Sequence, residues 1–570
     1  MRAYFSRSMI WFAAFVSIFA VLLATVLANS GGAKPNTDGR LSTQGRESTD
    51  LLVFGGTPSG VAAAVSAARM GLKVKLVSPT GSIGGAIANG VSATDGLLYE
   101  PTGFAREFFD RADKFYKHNP NLRIEPHVAE AIFMGLLQKA NVQVQINAKL
   151  AGVEKLGDRI ECLRFERIPT QCAATFVDAS YEGDLFAVAG ARYRLGTEDL
   201  FAYGESLAKK RIMHAVVRMS NLSPIEVGSL KELPFTSAPA SFEAKNADLT
   251  LGMPSFTYRL CLSKTSKVAF RPSLEYKKWI PAWRILMRSL YADGTCAQCV
   301  VAAHGTVLTK LWRIAELPNK KYDLNSHLGL TNFPIPRSYF GLGKSRHRIN
   351  QLALDYMQSL IYWLQTDPTA PAYESKALEG MGLCADEYRG NRHLPYQPYV
   401  REGRRVVGEY TITAFDLFHN RKKPDAIAYG SYFLDNKSSQ LVFADNAIYR
   451  DKTPFLLPPA YEIPYRVMVP KFGPENLLVS VGVSSSPISY GSIRMEQQFM
   501  GLGQAAGIAA AVAVRTGRVV AKVDVSRVQA GLARVGARVR LGDLCAASAN
   551  ASQVTLAGTS ITCARQVSSN

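Results

Sequence analysis

Apolar and polar positions along this chain pick out one unit above the rest, residues 50–85. Leu51, Leu52, Val53 and Phe54 are an unbroken apolar run of the length of a buried strand, and Gly55 ends it. Residues 58–70 follow as a predicted helix whose face is built from Ala62, Ala63, Ala64, Ala67 and Ala68, small enough to lie close on a sheet. Gly71 stops that helix, and "LKVKLVS" is a second apolar strand. A strand, glycine turn, helix and strand of this length is the unit that binds dinucleotides. Glycine lets the chain turn sharply and lets a phosphate approach the backbone. The helix N-terminus then offers free N–H groups and the positive end of its dipole. Gly55 and Gly60 fit the first and third glycines of G-x-G-x-x-G, while Thr57 stands at the second. Ser78 stands where a ribose-binding carboxylate is expected. Gly84 and Gly85 add a second glycine turn. The plainer alternative is a βαβ unit that binds nothing.

Beyond this unit the periodicity predicts amphipathic helices over 103–118 and 125–140, the latter with Val128, Ile132, Leu136 and Leu137 on one face. A strand over 142–147, a β-meander over 150–166 turning at Gly157 and Asp158, and a buried strand over 173–180 follow. Residues 200–430 are mixed, rich in Tyr, Arg and Pro, and show no repeat. They read as a substrate-facing domain inserted between two halves of a nucleotide-binding domain. Residues 476–487 restore a buried strand, and 495–517 a long Gly- and Ala-rich helix closed by Gly517. The start of that helix, near Glu496, is placed to face the site, with an ordinary core helix as the alternative.

Composition narrows the class. With 570 residues, 47% of them hydrophobic, the chain can bury a large core and fill about two to four domains. Arg2 and Arg7 precede an uncharged apolar run over 9–28, and Val26 and Ala28 sit as the small residues of a cleavage site. The run also approaches the length that spans a bilayer. Residues 1–28 are therefore a signal peptide or an uncleaved membrane anchor, and 29–48 a flexible polar linker. Either reading exports the main body, to the periplasm or beyond, or anchors it facing outward. The net charge of +20 favours anionic partners such as phosphates, uronic acids, phospholipid head groups or nucleic acid, with general basicity as the plainer reading. No nucleic-acid module or basic–aromatic stripe is present. Export permits disulfides. Cys162 with Cys172 would bridge neighbouring strands, and Cys545 with Cys563 would tie down the tail. Cys296 and Cys299 read as a structural disulfide or two free thiols, and no second pair completes a zinc site.

Several separated segments resemble one family, the FAD-dependent oxidoreductases that include xanthan-lyase-like proteins. "FGGTPSGVAAAVSAARMG" resembles its nucleotide loop, threonine–proline included, and "GSIGG" its second glycine turn. "FVDASYEGDLFAVAGARYRLG", "YVREGRRVVGEYTIT", "YEIPYRVMVPKFGPENLLVSVGVSSS" and "YGSIRMEQQFMGLGQAAG" resemble later segments. The resemblance implies an α/β protein: a Rossmann-like FAD-binding domain of the glutathione-reductase type with an inserted α+β substrate domain. The expected division is 49–199 and 440–516 for the two parts of the FAD-binding domain, 200–439 for the substrate or cap domain and 517–570 for a tail.

It further implies FAD as cofactor, held by Gly55, Thr57, Pro58, Ser59, Gly60, Ser78, Gly84, Gly85, Asp184 and Gly482, with the helix end near Glu496 stabilising charge on the reduced ring. No metal is expected. Related sequences carry glutamate at the Ser78 position, Asp-Ser-His where this chain has Asp435, Asn436 and Lys437, and Ser-His where it has Ser486 and Pro487. Two histidines suited to general-base work are thus replaced. Asp435, Tyr432, Lys437 and Tyr490 are the remaining candidates for proton transfer. Arg494, Arg259, Arg401 and Arg405 are candidates for binding an anionic substrate or stabilising reduced flavin, with buried ion pairs as the alternative. His393 is the histidine nearest in kind to a base, against a structural role. The implied activity is hydride transfer from a hydroxylated small molecule or carbohydrate to flavin N5, with an unspecified electron acceptor. The alternatives are a flavin-dependent reductase or monooxygenase, or a flavin-binding protein without turnover.

Overall fold

Strand β1 (Ser48–Phe54) is the axis of the fold. It lies between two parallel neighbours, β2 (Val74–Val77) and β6 (Gln171–Asp178). Leu51, Leu52, Val53 and Phe54 are almost wholly buried on both faces, as a continuous apolar run in a covered parallel sheet must be. These coordinates of the molecule come from a computed structural model, which describes residues 48–543 apart from 97–98, 121, 254, 297–298, 303–304, 328–330 and 438, together with 555–556 and 559–560. The expected leader or anchor, all but the end of the linker, and the pairing of Cys545 with Cys563 lie outside the described residues.

Helix α1 (Pro58–Arg69) crosses from β1 to β2. Helices α2 (Gly103–Tyr116) and α3 (Pro126–Lys139) lead to β3 (Gln143–Gln145), which pairs in parallel with β2. The meander is β4 (Leu150–Leu156) and β5 (Arg159–Phe165), antiparallel to each other, with β5 antiparallel to β6. Cys162 and Cys172 face each other across β5 and β6 and form a disulfide. More than 300 residues later, β7 (Leu477–Val479) joins the same sheet in parallel with β6. The order β3-β2-β1-β6-β5-β4, with β7 on β6, is an α/β Rossmann-type arrangement whose parallel strands end together above the sheet.

Two helices close this unit, the short α4 (Pro487–Ile493) and the long α5 (Glu496–Thr516). Helix α5 packs on α1 so closely that a Cβ on Gly503 would meet the Ser59 carbonyl oxygen at 2.0 Å, and one on Gly507 the Ala63 oxygen at 2.1 Å. Among the described residues α5 is the helix long and apolar enough to cross a membrane, but 78% of that stretch is buried inside the protein. Gly517, at φ +66°, caps it. Residues Val525–Arg534 form a further helix, with Val528 and Leu532 buried.

The stretch between β6 and β7 builds an antiparallel sheet in the order Lys267–Val268, Gly382–Cys384, Leu260–Ser263, Lys321–Ser326, Trp312–Leu317, Thr306–Leu308, Val300–Ala302. A disulfide joins Cys261 to Cys384, and another Cys296 to Cys299. Helices Ile280–Leu290 and Lys344–Thr366 meet through Trp283, Tyr356 and Trp363. A small sheet pairs Ser255–Thr257 with Phe333–Pro334 and Tyr399–Val400, which delivers Tyr399 and Arg401 to the site. The described residues from Ser48 onward belong to one compact unit.

Candidate functional site

The glycine turn follows from its sequence. Gly55 has φ +115°, and a Cβ there would lie 2.6 Å from the backbone of Ala179 and Ser180. Thr57 is extended and caps α1: its hydroxyl accepts from the Gly60 N–H at 3.1 Å and donates to the Ala179 carbonyl at 2.7 Å. Threonine at the second glycine position is thus an N-cap and a tie to the end of β6. Pro58 occupies the first helical position, where no N–H is needed. Gly60 allows closure, since a Cβ there would stand 2.0 Å from the Gly55 oxygen. Ser59 donates to the Ser480 hydroxyl at 2.8 Å, joining the turn to the loop after β7. Gly84 and Gly85 donate to the Gly56 carbonyl at 2.7 and 3.0 Å, so the second glycine turn lies on the first.

At the ends of β2 and β3 a cleft of ≈ 300 Å³ opens between Pro79, Asn147, Lys149, Glu166 and Arg167. Ser78 lies beside it but is buried, and its hydroxyl donates to the Ser82 carbonyl at 3.3 Å and pairs with Thr80 at 3.1 Å. Asp184 is engaged elsewhere: Arg346 holds it at 2.6 Å and Arg404 at 2.9 Å. Gly482 lies against the segment Arg404–Val406, where a Cβ would meet the Arg404 oxygen at 2.4 Å.

From the turn, a chain of contacts runs to the other end of the site. The Tyr181 hydroxyl accepts from the Ala86 N–H at 2.9 Å and donates to Glu496 Oε1 at 2.8 Å. Glu496 opens α5, and its second oxygen, Oε2, is buried without a partner. Burial pushes its carboxyl up to about 8, so it is largely protonated at neutral pH. Tyr181 is a residue that the sequence reading passed over, although it lies inside the quoted "DASYEGD" segment.

Beyond Glu496 lies a cluster of charged and polar side chains around Asp435, the walls of a candidate substrate chamber. Asp435 accepts from Lys437 at 2.9 Å through Oδ1 and from Arg494 at 2.7 Å through Oδ2. Arg494 also donates to the Tyr399 hydroxyl at 2.8 Å. The Arg401 guanidinium lies 4.7 Å above the Tyr399 ring. Lys437 is set deep in the protein yet keeps 37% of its side chain accessible. That accessible face leaves the cluster open to a small molecule at Lys437. Burial lowers the Lys437 ammonium from its ordinary value; Asp435 opposes this, and Arg401 and Arg494 add to it. Against the cost of burial, Lys437 and Arg494 hold Asp435 well below the usual carboxylate range. Burial pushes the Tyr432 phenol far up.

The other candidates are occupied. Tyr490 donates to the Val481 carbonyl at 3.0 Å. Arg405 pairs with Asp199 at 2.7 Å, and Arg259 with Asp323 through Nε at 2.8 Å. His393 Nδ1 lies 3.1 Å from the Glu387 carbonyl, a loop-holding contact. Pro487 starts α4, which Ser486 caps. Glu125, His127, Asp386 and Glu387 cluster as metal ligands do, but the Lys321 ammonium stands among them at 2.6–2.8 Å from three carboxylates and takes the cation's place.

These features fit FAD. The stacked glycine turns suit a pyrophosphate, and the cleft at the strand ends, with Glu166 in its lining, suits an adenosine. The unpartnered buried atoms at the far end, Glu496 Oε2, Gln497 Oε1, Arg494 Nε and Ser92 Oγ, suit a polar ring edge.

The sequence profile of the FAD dependent oxidoreductase family matches residues 50–532. No curated protein matches the chain. Solved structures similar to it include a flavin monooxygenase from Stenotrophomonas maltophilia, 19% identical over 23% of this chain and 38% of that one, TM-score 0.18. A p-nitrophenol 4-monooxygenase from Pseudomonas putida is 14% identical over 26% and 44%, TM-score 0.20. A thioredoxin reductase from Streptococcus pyogenes is 23% identical over 27% and 40%, TM-score 0.17. The chain spans less than half the length of each of these three.

Proposed function

The chain belongs to the FAD dependent oxidoreductase family, and we propose that it is an exported enzyme that oxidises a hydroxylated small molecule in the chamber beyond Glu496. The Gly55, Gly60, Gly84 and Gly85 turns would hold the cofactor's phosphates, and the start of α5 would face its ring. When bound, FAD supplies the two-electron acceptor for a substrate C–H hydride.

The observation that carries this reading is Lys437. A base must take the substrate's hydroxyl proton, and the two histidines of related sequences are absent. Asp435 is held strongly ionised and shared between two cations, which makes it a poor base. Tyr432 holds its proton even more firmly than a free phenol. Lys437, with its ammonium destabilised by burial, releases a proton more readily than a free lysine and can accept one from the substrate at Nζ. Asp435 fixes that nitrogen in place, and Arg494 fixes Asp435. Export is supported by the N-terminal apolar segment and by three disulfides in the described residues.

The test is an anaerobic titration of the purified yellow protein with sugars, polyols and hydroxy acids, followed by kinetics of Lys437→Met. Bleaching by a donor and recovery in air are expected. The substitution should lower kcat by roughly 10²-fold or more and remove the basic-limb rise of kcat with pH. A colourless protein that takes up no FAD, or a Lys437→Met variant with an unchanged pH profile, would refute the proposal.

A further inference from the structure

Arg401 is a buried cation that shares the Asp435 carboxylate with two other cations. It is 4% exposed, its Nη1 is buried without a hydrogen-bond partner, and among the described residues no carboxylate pairs with it. An unpaired buried charge is costly, so a fold that keeps one has a use for it. The neighbouring anions are spent. Asp435 gives one oxygen to Lys437 and the other to Arg494. Asp323 is taken by Arg259. Glu402, next in sequence, faces Arg494, Arg405, Arg211 and Asn436, and burial raises its carboxyl towards the neutral form. Three cations, Arg401, Arg494 and Lys437, thus share the single Asp435 carboxylate around the chamber. Burial brings Arg401 down to about 10, which leaves it charged at neutral pH.

We propose that Arg401 binds a carboxylate of the substrate, so that the molecule oxidised in this chamber is a hydroxy acid. This rests on the chamber being the substrate site. A guanidinium matches a carboxylate with two parallel N–H donors. Tyr399, stacked beneath Arg401 and bonded to Arg494, holds the plane of the guanidinium still. The hydroxyl of the same substrate is then presented towards Lys437, whose charge couples to Arg401. Only anionic substrates satisfy Arg401; a neutral polyol leaves it unpaired, and the penalty for that gives the discrimination.

The test uses the FAD-loaded full chain and reads binding rather than turnover. Glycolate, lactate and D-glucuronate are titrated against their neutral counterparts ethylene glycol, propane-1,2-diol and D-glucose, following the visible spectrum of bound FAD and the melting temperature. At least one carboxylate is expected to bind at least tenfold more tightly than its neutral counterpart. Arg401→Gln should weaken that binding by roughly 10- to 100-fold, and Arg401→Lys should restore part of it. The midpoint potential of bound FAD should stay unchanged in both variants. Binding of none of the acids, equal binding of the neutral set, or unchanged carboxylate affinity in Arg401→Gln would overturn the proposal. A shifted potential with intact carboxylate affinity would assign Arg401 to the flavin and overturn it equally. Carboxylate binding by a chain that oxidises nothing would sink the proposed function and leave this site standing.

Discussion

Glu496→Gln isolates one buried carboxyl at the start of α5. The Glu496 side chain accepts from Tyr181 through Oε1, and Oε2 has no partner. Glutamine copies the protonated acid: its oxygen keeps the Tyr181 bond, and its NH₂ replaces a carboxyl O–H that also lacked a partner. Burial raises this carboxyl from 4.5 to about 8 in the folded protein. The folded state therefore holds a proton that the unfolded chain releases above its ordinary value. The stability this group contributes is complete below about pH 4.5 and is lost progressively as pH rises towards 8. At about 1.4 kcal/mol per pH unit, the loss across that window is about 5 kcal/mol, an upper figure because solvent reaches a charged site once it loosens. Glutamine cannot titrate, so the variant escapes the loss. The assay is urea unfolding of wild type and Glu496→Gln from pH 4.5 to 9, with the difference between them as the readout so that all other groups cancel. The two should coincide near pH 4.5, and the variant should be more stable by a few kcal/mol at pH 8.5. Parallel curves would show that Glu496 ionises as freely folded as unfolded, and the argument from its burial would fail.

Four further perturbations test the scaffold. Gly60→Ala drives a methyl to 2.0 Å from the Gly55 oxygen, so it should abolish FAD retention during purification. Gly135→Ala, in α3 with open space around its Cβ, should instead stabilise by about 0.5–1 kcal/mol in thermal unfolding. Replacing Cys261 and Cys384 by serine opens a loop of sequence separation 123 and should cost about 5 kcal/mol by urea unfolding under oxidising conditions. The same change at Cys296 and Cys299, three apart, should cost about 2 kcal/mol or less.

Features that depend on near neighbours in the chain were legible from the residues alone. The run from Leu51 to Phe54, the turn at Gly55 and the alanine face after it are decided by period, sterics and capping within about 30 residues. Cys162 with Cys172 belongs to the same class, because a hairpin brings them opposite each other. The return of a strand at Leu477 was legible as a buried run, and its place in the first sheet followed from the way open α/β sheets assemble a nucleotide site. What the sequence could not supply was charge bookkeeping. Arg401, Arg404 and Arg405 are near-neighbours of one type, yet Arg404 and Arg405 are paired with Asp184 and Asp199, some 200 residues away, while Arg401 forms no ion pair among the described residues. Cys261 finds Cys384 across 123 residues. Lys437 reads as a lost histidine until the fold surrounds it with Arg401 and Arg494, and Ser78 reads as a ribose contact until its hydroxyl turns to Thr80 and Ser82. Backbone conformation is set by local terms that a sequence displays. Ionisation and ion pairing are set by desolvation and by which distant groups arrive within a few ångströms, and those exist only once the chain has folded.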